Sequence, residues 1–166
     1  ATKAVAAGAG AATVLSSAGN AWADRAGGAS GALWGLALRS WSSALNDDVP
    51  ATPIALASGA KLALEAIMRL GGARVGDKTL VDSFVPFVDV LADEIAKGRA
   101  LSYAWREASG AATKAAEATA QLTPKLGRAR SHAARSLGHP DAGAVSLALC
   151  ARVVANAMVS FPQQGR

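Results

Sequence analysis

Three segments of this sequence break a pattern of alanine-rich helices, and the first and third carry residue types able to handle phosphate. The first is Gly27-Gly28-Ala29-Ser30-Gly31, which runs straight into the apolar Ala32-Leu33-Trp34-Gly35-Leu36. Glycines just before a helix let the backbone come close to a ligand. The free amides of the first turn, together with the helix dipole, then favour an anion. Ser30 adds a hydroxyl donor. An ordinary helix start with close packing at the glycines accounts for the same residues, since the Walker lysine and its preceding strand are lacking.

The second segment is Gly76-Asp77-Lys78-Thr79-Leu80-Val81-Asp82. Thr79 suits a helix cap and Asp82 suits a first turn by charge, so a plain helix start explains this stretch without any function. The third runs from Gly127-Arg128-Ala129-Arg130-Ser131-His132 through Arg135-Ser136-Leu137-Gly138-His139-Pro140 to Asp141-Ala142-Gly143-Ala144. Arginine suits bidentate phosphate contact, and Asp141 opens the last helix near its positive end. A solvated basic loop is the plain alternative. His132 and His139 stand seven residues apart without companion ligands, which does not make a metal site. A Ser-His-Asp triad can be drawn from these residue types, but nothing places them together or supplies a nucleophile elbow.

The elements that must position these segments read as helices. In 166 residues, enough for one domain with a real core, 51% are apolar, 5% aromatic and 17% charged. Alanine, the best helix former, makes up about a quarter of the chain. Isoleucine occurs only at Ile54, Ile67 and Ile95, and no stretch alternates long enough to predict a strand. An all-α, up-and-down bundle of six helices with short connections follows, with function where the loops gather at one end.

The first helix, Ala1 to Ala23, is weakened by Gly8, Gly10 and Gly19. A second extends through Leu45 until Asn46-Asp47-Asp48-Val49-Pro50 breaks it. A third, capped by Thr52-Pro53, runs to Leu70 and stops at Gly71-Gly72. The fourth carries an apolar stripe of Val81, Phe84, Val85, Val88, Leu91, Ala92 and Ile95, with Pro86 expected to kink it and Gly98 to end it. The fifth covers Leu101 to Leu122, closed by Pro124. Leu126 to Gly143 reads as a long polar loop or a short helix between loops. The last, Ala144 to Val159, is apolar nearly all round and is expected to be the central, most buried helix.

The net charge of +5 and pI of about 9.9 allow an anionic partner, whether nucleic acid or a phosphorylated small molecule. A single cysteine, Cys150, precludes an intramolecular disulfide, suits a cytoplasmic location and is expected as a buried core thiol. No secretory signal precedes the first helix. Ala142 to Val159 is short for a membrane span and carries Arg152 and Asn156, so no membrane partner is expected.

Taken together and in order, GGASGALWG, GDKTLVDSFVPF and GRARSHAARSLGHPDAGA closely resemble the nucleotide-binding L domain of the dihydroxyacetone kinase family, which includes erythrulose kinases. The resemblance covers essentially the whole chain. It implies a barrel-like antiparallel bundle of eight helices, about six of them covered here, with ATP or ADP at one end. The chain is then a single L domain, N-terminally incomplete. The family's GDGDHG-type segment, whose aspartates hold Mg2+, is expected upstream of Ala1, and Asp24, Asp47, Asp48 and Asp77 do not match it.

The resemblance assigns Gly28, Ala29, Ser30 and Gly31 to the phosphate-contacting turn, with Ala29 and Ser30 as the contacting pair. Gly71, Thr79 and Leu80 match positions lining the adenine pocket, Leu80 replacing a common methionine. Arg128 matches an arginine near the phosphates. Asp141, Ala142 and Gly143 match the segment closing over the nucleotide, Ala142 replacing the usual proline. Nothing is carried over to Arg130, His132 or His139.

The implied reaction moves the γ-phosphate of ATP to a terminal hydroxyl of a short ketose such as dihydroxyacetone or erythrulose. The sugar is held covalently by a separate K domain, fused or free, so no catalytic base is expected in this chain. Alone, the 166 residues are expected to be inactive, because Mg2+ neutralises the developing charge. An L subunit that keeps ADP bound and serves a phosphotransferase system is the alternative within the family. A non-catalytic nucleotide-binding or docking module stands further off, as does a nucleic-acid-binding domain. Against the last, the charges interleave with glycines in one loop instead of lining a helix. A homodimer is compatible with any of these.

Overall fold

The structure is a computed structural model that describes residues 1–127, 130 and 133–160. Among the described residues every regular element is helical. The chain divides into two compact units, Ala1–Gly72 and Ala73–Arg166.

The first unit holds α1 (Thr2–Ala6), α2 (Ala11–Ala26), α3 (Gly28–Ser42) and α4 (Pro53–Gly71). The expected first helix is thus two. The break falls at Gly8, which sits at φ +74, and at Gly10, where any side chain would collide with the Asp47 backbone. Thr13 fastens this corner, donating its amide (2.9 Å) and hydroxyl (2.6 Å) to the Asp47 carboxylate. These bonds hold the Asp47 carboxyl below its ordinary pKa. Gly19 does not weaken α2; it lets α2 meet α3. A Cβ at Gly19 would lie 2.8 Å from the Gly35 carbonyl, and one at Gly35 would lie 2.8 Å from the Gly19 carbonyl. Gly31 packs against Ala23 and Ala26 in the same way, and Trp22 stacks on Trp34 with ring centroids 5.5 Å apart. These pairings run in opposite directions along the two helices, so α2 and α3 form an antiparallel hairpin turned at Gly27 (φ +59).

The expected start and stop of α4 are both present. The Thr52 hydroxyl accepts the Ala55 amide at 3.1 Å, Pro53 fills the first helical position, and Gly72 closes the helix in the left-handed region. Gly59 receives the Trp41 ring and Gly71 faces Leu33, so α4 lies antiparallel to α3.

The second unit holds α5 (Val81–Ala96), α6 (Leu101–Ala118) running into a 3₁₀ turn (Thr119–Gln121), the short α7 (Ala133–Ser136) and α8 (Ala142–Ser160). Ala104, Ala108, Ala112 and Ala116 repeat at every fourth position of α6 and are all buried. This smooth ridge admits α5 on one side and α8 on the other. Phe87 meets Trp105 edge to face at 5.1 Å, and the Trp105 indole donates to the Ala151 carbonyl at 3.0 Å.

Two expectations about burial fail here. In α5, which contains Pro86, Phe87 joins the buried stripe while Ala92 is exposed. In α8 only one face is covered: Ala144, Leu147, Ala148, Ala151 and Ala155 are buried, whereas Leu149, Val153 and Val159 are exposed. Helix α8 is therefore not the central, most buried element, and Cys150 is exposed instead of a core thiol. An alanine stripe is narrow, so the larger apolar residues of α8 fall on the flanks and the outer face. The helix, read from sequence as short for a span, is by length and composition apolar enough to cross a bilayer.

Candidate functional site

In the second unit the segment leading into α5 is organised around Asp82. One of its carboxylate oxygens accepts the Gly76 amide at 2.6 Å, and the other accepts the Thr79 amide at 2.7 Å. The Thr79 hydroxyl in turn accepts the Val81 amide at 3.2 Å. Thr79 and Asp82 thus form a reciprocal cap, the Thr-x-x-Asp version of a capping box. Asp82 does more than balance a helix dipole: it closes the 76–79 loop upon itself.

Lys78 lies inside that loop at φ 58, the only non-glycine residue with positive φ among the described residues. It is 3% exposed, and its ammonium donates to the Ser136 carbonyl at 2.5 Å. Asp77 holds the outer side of the loop, accepting the Arg74 amide at 2.8 Å and pairing with Lys125 at 3.4 Å.

The segment after α7 is fixed just as closely. Gly138 donates its amide to the Ala120 carbonyl at 2.9 Å, and the Asp141 amide donates to the buried Thr119 hydroxyl at 2.7 Å. Asp141 then caps α8, accepting the Ala144 amide at 2.8 Å. The Ser83 hydroxyl, at 3.1 Å from the Ala144 carbonyl, ties the start of α5 to the start of α8. Between them, a Cβ on Gly143 would stand 3.0 Å from the Asp141 carboxylate and 3.2 Å from the Leu80 Cβ. Only glycine lets these two walls close to that distance.

Burial pushes the Asp141 carboxyl above its ordinary pKa, and the nearby Asp82 charge acts in the same sense. The Ala144 and Gly143 amides and the Lys78 ammonium act against that shift. Lys78, Asp82 and Asp141 therefore form one charged group where the N-termini of α5 and α8 meet the C-terminus of α6.

The sequence-assigned site residues fall into two sets. In the second unit, Thr79, Leu80, Asp141, Ala142 and Gly143 are brought together as described. In the first unit, Gly28 (φ +61), Ala29 and Ser30 form the exposed first turn of α3, with Gly31 buried behind them. Gly71 ends α4 beside Leu33 of α3, so it belongs with this turn. The glycines have a structural use of their own here, since Gly27 turns the chain and Gly31 and Gly35 admit α2. Arg128 lies outside the described residues, as do Ser131 and His132. His139 is exposed.

Sequence reasoning passed over Lys78, Ser83 and Thr119. The Thr-x-x-Asp spacing was a legible signal for Asp82. The left-handed backbone at Lys78 has no sequence signal, since that region favours glycine, asparagine and aspartate.

Among the described residues no three His, Cys, Asp or Glu side chains gather as metal ligands. The carboxylates of Asp82 and Asp141 are engaged by backbone amides.

A protein-family model described as the DAK2 domain matches residues 1–156. The chain is 48% identical over 165 residues to D-erythrulose kinase of Mycolicibacterium smegmatis, covering 99% of this chain and 28% of that protein. It is 49% identical over 141 residues to L-erythrulose kinase of Pectobacterium atrosepticum, covering 85% and 24%. Human triokinase/FMN cyclase is 33% identical over 139 residues, covering 82% and 24%. The chain thus spans about a quarter of the length of the curated relatives it matches.

Proposed function

The chain belongs to the DAK2 domain family, and on that premise we propose that it is the nucleotide-binding part of a ketose kinase. The reaction is transfer of the γ-phosphate of ATP to a terminal hydroxyl of a short ketose. The erythrulose kinases at 48–49% identity favour a four-carbon sugar within that class.

The observation that carries this reading is the close approach of Leu80 to Gly143, held by Asp82 on one side and Thr119 on the other. Thr79 and Leu80 contribute the apolar part, where a base can lie. Asp141, Ala142 and Gly143 contribute backbone at a helix N-terminus. In the first turn of α3, Ala29 and Ser30 offer an amide and a hydroxyl of the kind that phosphate oxygens accept. The work of the Thr79–Leu80 and Asp141–Gly143 segments is to hold and orient the nucleotide, which for phosphoryl transfer supplies much of the catalysis.

The sugar would be held by a further domain, fused or separate, for which relatives about three and a half times the length of this chain leave room. Magnesium would accompany the nucleotide and draw its carboxylates from outside these residues. A cytoplasmic location fits ATP as donor.

The test is to incubate the full-length protein with ATP, magnesium and, in turn, dihydroxyacetone and the two erythrulose enantiomers. Formation of ADP and a ketose monophosphate, read by phosphorus NMR, is the expected result. ADP formation with none of these ketoses would overturn the assignment.

A further inference from the structure

Lys78 is an odd residue to find where it is. A lysine with 3% exposure has lost its hydration, and a left-handed backbone costs a non-glycine residue about 1 kcal/mol or more. Both costs are met at one place, where the ammonium reaches the Ser136 carbonyl at the end of α7. That contact joins the loop before α5 to the segment that leads into α8. The Asp82 and Lys78 charges act in opposite senses on the Asp141 carboxyl. Asp82 is committed to the Gly76 and Thr79 amides, and Asp141 to the Ala144 amide. Lys78 thus ties Ser136 to the loop before α5, and its charge acts on the Asp141 carboxylate that caps α8.

We infer that Lys78 is a positioning residue for nucleotide: its buried ammonium, bound to the Ser136 carbonyl, sets the separation of the Thr79–Leu80 and Asp141–Gly143 walls. The inference rests on the kinase reading above and deepens it. Lys78 itself touches no phosphate; it acts through the two segments it ties. Losing the ammonium would release Ser136 and so free the segment that leads into α8, widening the gap beside Gly143.

The experiment uses the full-length protein with Lys78→Gly and Lys78→Gln, measuring kcat, KM for ATP, KM for the ketose and thermal melting. Glycine suits the φ of 58 at this position and so removes the ammonium while relieving the backbone. We expect Lys78→Gly to melt within a few degrees of wild type, with KM for ATP raised about tenfold. The ketose KM and kcat should stay within about threefold of wild type, tenfold being 1.4 kcal/mol of binding. Should the glycine variant not fold, Lys78→Gln keeps one donor at nearly the same reach, and a rise in its KM for ATP alone is the expected result. An unchanged KM for ATP in the folded variant overturns the inference. So does a fall in activity that tracks loss of folded protein at constant KM, which marks a folding residue only. Failure of the kinase reading looks different: wild type itself would then show no saturable dependence on ATP.

Discussion

The Asp141 amide donates to the Thr119 hydroxyl at 2.7 Å, and Thr119 in turn donates to the Ala116 carbonyl at the end of α6. Thr119 is 1% exposed, so water cannot replace it. Thr119→Val keeps the shape and leaves the Asp141 amide without this acceptor. An unsatisfied buried donor costs about 1–3 kcal/mol, and urea unfolding should show that loss. Nucleotide affinity should fall as well, because the start of α8 loses its anchor.

Gly143 has room for a hydrogen and nothing larger. A Cβ 3.0 Å from the Asp141 carboxylate and 3.2 Å from the Leu80 Cβ must push one wall away. Gly143→Ala should therefore lower nucleotide affinity about tenfold or more while melting only slightly earlier, since α8 gains a better helix former. Titration of ADP into wild type and variant checks this.

Asp141 makes stability depend on pH in a direction opposite to most aspartates. Burial raises its carboxyl pKa above the ordinary 3.8, so the folded state holds the proton more tightly than the unfolded chain. Its contribution is complete below that ordinary value and is lost as pH rises through the folded value. At neutral pH the ionised group is a net cost. Asp141→Asn retains an oxygen for the Ala144 amide, and asparagine caps helices as well as aspartate. Its melting temperature should exceed that of wild type at pH 7, and the difference should shrink as pH falls towards about 4, with no further change below it. A variant less stable than wild type at pH 7 would show that the amides and Lys78 outweigh desolvation.

Much of this architecture was legible in the sequence because local rules decided it. Thr52-Pro53 and Gly71-Gly72 mark the ends of α4 through capping chemistry alone, and both ends are where those rules place them. Burial was less legible. The outer face of α8 carries Leu149, Val153 and Val159 while alanines face inward, so apolar content misjudges which side is covered. The candidate site was half legible: the Gly76–Asp82 and Asp141–Gly143 segments stand out by residue type. Their joining through Lys78, Ser83 and Thr119 did not, because it depends on one backbone angle and on contacts between residues far apart in sequence.

The glycines of the first unit should be intolerant for a reason independent of any ligand. A Cβ at Gly35 would stand 2.7 Å from the Ala23 Cβ and 2.8 Å from the Gly19 carbonyl. Gly35→Ala should force α2 and α3 apart at a cost of about 1–3 kcal/mol. The Trp22–Trp34 stack lies in the same hairpin, so near-ultraviolet circular dichroism should change together with the melting temperature.

The account stands most directly on nucleotide binding. Calorimetric titration of ATP and ADP, with magnesium, into the full-length protein should give saturable binding that weakens in both Gly143→Ala and Ser30→Ala. Circular dichroism should meanwhile report an unchanged helical content in both variants. Saturable binding that neither substitution weakens would contradict the site, and no binding of either nucleotide by wild type would contradict the kinase reading itself.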